Sequence, residues 1–128
     1  MPHLTLEYST NVAAGVDAAV LFSALHQGLS RIGTFKIQDF KSRAYPAAGF
    51  FIGTGKDNQS FVNLDIATFG GKSVDERKLL TDTALKILAD YFEAALQATN
   101  CDISVQVTEL ERDVFSRVRS SELLGAAA

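Results

Sequence analysis

The chain opens on an alternation. Leu4, Leu6 and Tyr8 share one parity and His3, Thr5 and Glu7 the other, the period of a half-buried strand. Ser9 to Val16 predicts a loop, and Asp17 a cap for the helix that follows. In that helix Val20, Leu21, Ala24, Leu25, Leu29 and Ile32 recur at helical spacing, and Gly33 is placed to end it in a left-handed conformation. From Lys36 to Tyr45 the pattern returns to strand, with Lys41, Arg43 and Tyr45 on one parity and Pro46 ending the ladder. Phe50, Phe51 and Ile52 form a short apolar piece before the turn formers Gly53 to Asn58, whose glycines belong to no phosphate-loop pattern.

Ser60 to Phe69 is the clearest strand, with Val62, Leu64 and Ile66 alternating against Phe61, Asn63, Asp65 and Ala67. Gly70-Gly71-Lys72 predicts a tight turn into a helix that opens with capping-box spacing at Ser73 and Glu76. Its stripe of Leu79, Leu80, Ala84, Ile87, Leu88, Tyr91, Phe92 and Leu96 runs to about Ala98. A last strand, Ile103 to Val107, leads to Glu109 and a charged tail holding Val114, Phe115 and Val118.

The order β-α-β-β-α-β predicts an α+β fold over residues 1–128 as a single domain. Right-handed crossovers put both helices on one face of a four-stranded sheet. The two halves form an approximate duplication of elements without a repeated residue motif. The other sheet face, with His3, Thr5, Glu7, Phe61, Asn63 and Asp65, is too mixed for a monomer core and partly too apolar for free exposure, which predicts self-association.

At 128 residues the chain can bury a real core, and its 47% hydrophobic and 21% charged residues exclude disorder. No apolar run approaches the roughly 20 residues a membrane span needs. The strand-like start lacks the basic and apolar blocks of a signal peptide, which predicts a cytoplasmic protein. A net charge of −3 argues against nucleic-acid binding. Cys101 is the only cysteine, and with His3 and His26 the only histidines a cysteine–histidine metal site is not expected. Cys101 is expected as a small residue at a strand start, and His26 as a helix-boundary residue.

Candidate chemistry centres on Pro2. If Met1 is removed, its ring nitrogen changes from an amide without a proton into a secondary amine that can accept and return one. Burial and nearby cations lower an amine's pKa by disfavouring its charged form, toward the value a general base needs. Lys41, Arg43 and Lys72 are the candidate cations. The residues alone weigh an anion site at Lys41 and Arg43 evenly against a cationic strand edge that discourages aggregation. Lys72 follows two glycines at a helix start, where backbone N–H groups also favour an anion.

Several segments together resemble the 5-carboxymethyl-2-hydroxymuconate isomerase family of the tautomerase superfamily. They are Pro2-His3-Leu4-Thr5-Leu6-Glu7-Tyr8-Ser9-Thr10-Asn11, Lys41-Ser42-Arg43, Phe61-Val62-Asn63-Leu64 running into Gly70-Gly71-Lys72-Ser73, and Glu109-Leu110 with Arg112-Asp113-Val114-Phe115-Ser116. The resemblance implies a tautomerase-like homotrimer in which Pro2 is the catalytic base and Arg43, Lys41 and Lys72 bind substrate. It implies a proton shift in an unsaturated 2-hydroxy polycarboxylate from aromatic-acid breakdown, with no metal or organic cofactor. Lys41 and Lys72 stand where the family carries arginines, which motivates an alternative: a non-catalytic trimeric binding or scaffolding protein that keeps the fold.

Overall fold

The computed structural model describes residues 1–12 and 15–127. Positions 13 and 14 of the expected Ser9–Val16 loop, and Ala128, lie outside the described residues. Strand β1 (His3–Ser9) leads to helix α1 (Ala18–Ser30), strand β2 (Lys41–Ala47) and strand β3 (Gln59–Phe69). Helices α2 (Val74–Tyr91) and α3 (Glu93–Ala98), strand β4 (Asn100–Leu110) and helix α4 (Ser120–Ala127) follow. Short 3-10 turns cover Ile37–Asp39 and Arg112–Val114.

The sheet is mixed, in the order β2-β1-β3-β4. β1 runs parallel to β2 and antiparallel to β3, and β3 runs parallel to β4. The alternation of β1 and β3 dictates the layers. Leu4, Leu6, Val62, Leu64 and Ile66 are fully buried on one face, against Leu21, Phe22, Leu25 and Leu29 of α1 and Leu80, Ala84 and Leu88 of α2. Both long helices therefore cover one face, as the pattern predicted.

The helix starts follow their caps. Asp17 accepts the Val20 N–H at 3.2 Å, and Ser73 accepts that of Glu76 at 3.1 Å. The reciprocal half of the expected capping box is not made: Glu76 instead accepts a 2.6 Å hydrogen bond from Thr34, tying α2 to the chain after α1. Gly33 has φ +93°, as expected of a helix-ending glycine.

Several boundaries differ from the periodic reading. Residues 36–40 are not strand, because Ile37–Asp39 closes a 3-10 turn that turns Phe40 into the core. Pro46 does not end β2 but sits within it, opposite Tyr8, which an edge strand tolerates because a proline lacking N–H can face outward there. The long second helix is interrupted at Phe92, after which Ala95 is buried and Leu96, counted in its stripe, is exposed; Leu79, in the unbroken part, is exposed as well. In α1 the buried stripe takes Phe22 and leaves Val20 exposed. β4 extends well beyond Ile103–Val107 because β3 offers a partner along its full length, and the tail ends in a helix that its short apolar spacing did not predict.

Candidate active site

Pro2 is buried, and its carbonyl accepts the Lys41 N–H at 3.2 Å. His3 pairs with Lys41 on one side and Ala67 on the other. Continuing both registers by one residue sets Pro2 between Phe40 and Thr68, on the helix-covered face with Leu4 and Leu6.

Lys72 comes to this face from the loop after β3. Its Nζ donates to Thr68 Oγ1 and to the Phe69 carbonyl, both at 3.0 Å, and lies 5.4 Å from the Phe35 ring centroid. The loop glycines permit this approach. Gly71 has φ +104°, in the left-handed region, and a Cβ at Gly70 would lie 3.2 Å from a Glu109 carboxylate oxygen. The Gly71 N–H donates to that same carboxylate at 3.1 Å, and Arg77 pairs with Glu109 at 3.2 Å. A protein carboxylate thus takes the loop N–H that the sequence offered to an anion.

Lys41 and Arg43 project from the opposite face, as their parity with His3 requires. Arg43 Nη2 donates to His3 Nδ1 at 3.0 Å, since a guanidinium has no acceptor. That fixes His3 as a neutral imidazole with its proton on Nε2. Partial burial first, then the charges of Arg43, the terminal amine and Lys41, hold His3 below its ordinary pKa. The four predicted residues therefore flank one strand end from two faces: Pro2 and Lys72 from the helix side, Lys41 and Arg43 from the open side.

The electrostatic setting of that strand end is read at the α-amino group of Met1. Its pKa is lowered, by partial burial first and then by Lys41, with Arg117 and Arg119 acting in the same sense and Asp39 opposing. The two arginines belong to the tail and were missed in the sequence, where the segment after β4 has no period to announce it. In the structure this segment folds back over the end of β3. Arg112 Cζ lies 4.0 Å over the Phe69 ring, and Phe115 meets Phe69 edge-on at 4.9 Å. Phe69, Arg112, Phe115 and Arg117 line a cavity of about 250 Å³.

Other residues take quieter places. His26 is half-buried beside Phe40 at 4.8 Å and shares a 2.6 Å hydrogen bond with Ser42, and burial lowers its pKa. Tyr45 and Phe51 are exposed. Cys101 is a partly buried free thiol at the start of β4. Among the described residues no cluster of three or more His, Cys, Asp or Glu side chains is placed to hold a metal ion, and no helix is long and apolar enough to cross a membrane.

Residues 2–120 match the family model of 5-carboxymethyl-2-hydroxymuconate isomerase. No curated protein matches the chain by sequence. Among solved structures, the chain is similar to a 5-carboxymethyl-2-hydroxymuconate isomerase from Deinococcus radiodurans R1, with a TM-score of 0.83 and 22% identity over 97% of this chain and 93% of that one. A 5-carboxymethyl-2-hydroxymuconate delta-isomerase superposes with a TM-score of 0.82 at 18% identity, covering 98% of this chain and 93% of its own. An asymmetric trimer of a fused 4-OT, F6, gives 0.60 at 18% identity over 94% and 98%.

Proposed function

The chain belongs to the 5-carboxymethyl-2-hydroxymuconate isomerase family and is an isomerase of the tautomerase kind, and from that premise we propose that Pro2, as the free amino terminus, is its general base. The substrate is 5-carboxymethyl-2-hydroxymuconate or a similar unsaturated 2-hydroxy polycarboxylate. Pro2 takes the 2-hydroxyl proton, the oxygen's electrons form the ketone, and negative charge spreads along the dienolate. The protonated Pro2 then returns the proton to a distant carbon, giving the conjugated ketone. One proton leaves and one is delivered.

The observation that carries this reading is the setting of the chain's first amine, lowered by burial and by Lys41, Arg117 and Arg119. Loss of Met1 moves the amine one residue inward, to the buried Pro2, where desolvation disfavours the ammonium further. A neutral amine at working pH is what a general base requires. Lys41, Arg43 and Lys72 are proposed to hold the carboxylates and to balance charge on the dienolate. Lysines grip a carboxylate as point charges and lack the fork of Arg43.

Self-association into a homotrimer forms part of the same proposal. It is supported by the open sheet face and by the trimers among the structural relatives. Intact mass reports whether Met1 is lost, and Pro2→Ala tests the chemistry. The expected loss in kcat/KM is on the order of 10²- to 10⁴-fold, and full activity in that variant would exclude Pro2 as the base.

A further inference from the structure

The segment after β4 makes a wall beside the chain start that no predicted site residue occupies. We propose that the cavity lined by Phe69, Arg112, Phe115 and Arg117 is a carboxylate subsite for the end of a planar conjugated acid remote from Pro2. This deepens the function proposed above and rests on it for the identity of the acid.

Position comes first. The β1–β3 pairing reaches His3 opposite Ala67, two residues before Phe69, whose carbonyl accepts from Lys72 Nζ at 3.0 Å. Arg117, which lines this cavity, is also near enough for its charge to act on the terminal amine.

Chemistry follows from the lining. Arg112 Cζ lies 4.0 Å over the Phe69 ring, a cation–π contact that uses none of the guanidinium N–H donors a carboxylate would take. Arg117 lines the same cavity, and no carboxylate does. Among the described residues the salt bridges are Arg77 with Glu109 and Lys78 with Asp82, and neither Arg112 nor Arg117 forms one with a described acid. Phe69 and Phe115, edge to face at 4.9 Å, supply an apolar wall for a flat diene. A volume of about 250 Å³ is below the range for a whole ligand and suits one end of a small acid.

The test is calorimetric titration of the full chain with two unreactive probes. trans,trans-Muconate is a planar diene with two carboxylates and no 2-hydroxyl; sorbate is a similar diene with one. Arg117→Gln is expected to weaken muconate by roughly tenfold or more, the scale of a lost charge-assisted hydrogen bond, and to leave sorbate nearly unchanged. Arg117→Lys restores part of the loss, and Arg112→Gln repeats it. Muconate binding equal to that of the unsubstituted chain, equal losses for both probes, or no muconate binding by the unsubstituted chain would each overturn the subsite. Arg117 is exposed, so its substitution reads the subsite even if loss of the Arg112–Phe69 stack disturbs folding. Because neither probe tautomerises, the result stands apart from the Pro2 mechanism, whose failure is read in the turnover of Pro2→Ala.

Discussion

Lys41 and Asp39 act on the Met1 amine with opposite sign, and two substitutions test whether they act in the same way on the Pro2 amine once Met1 is lost. Removing the cation in Lys41→Gln lets the amine hold its proton to higher pH, so the acid limb of kcat/KM moves to higher pH. Removing the anion in Asp39→Asn makes the ammonium less favourable and moves the limb to lower pH. Opposite displacements in the two pH profiles are the expected result. His3 is a positioning residue for Arg43, through the 3.0 Å bond to Nδ1. His3→Ala frees the guanidinium, and the expectation is a KM raised several-fold with kcat changed less, the order of one hydrogen bond to a charged group. Parity alone put Lys41 and Arg43 on one side of β2. The His3–Arg43 contact was not legible, because it depends on the register between strands about 40 residues apart in sequence.

Elements decide how firmly those residues are held. β2 is an edge strand paired only with β1, and the His26–Ser42 bond at 2.6 Å fixes from the helix side the residue between Lys41 and Arg43. Burial keeps His26 below its ordinary pKa. The unfolded chain therefore binds a proton near pH 6.5 that the folded chain refuses, and stability falls as pH drops through that value until the folded pKa is passed. His3, also lowered, contributes with the same sign. His26→Phe is expected to flatten the decline in unfolding free energy between about pH 7 and 5, measured by denaturant titration. At α2, Ser73→Ala removes the cap on Glu76 and is expected to cost about 1 kcal/mol in the same assay. Strong periodicity made α1, α2, β1 and β3 readable. The turn at Ile37–Asp39 and the break at Phe92 were not, because tertiary burial of Phe40 and Phe92, at 8% and 1% exposure, overrides local pattern.

For the whole molecule the unequal sheet faces matter most. One face is sealed by helices, whereas the other presents a polar network in which Asn63 donates to Ser104 and Gln106, and Thr108 donates to Asp65. Its mixed character was legible as a reason to associate; what it meets was not, since a second copy leaves no periodic trace in one chain. Sedimentation equilibrium is expected to give three times the 13.8 kDa chain mass, and a monomer at micromolar concentration would contradict the trimer. The sheet, the tail wall and the cationic surroundings all converge on one strand end, and the account stands on the amine there. An NMR titration of ¹⁵N-labelled Pro2 in the protein lacking Met1 measures it directly. The account predicts a midpoint clearly below the value of about 8 for an ordinary terminal amine, and a midpoint at or above that value would contradict it.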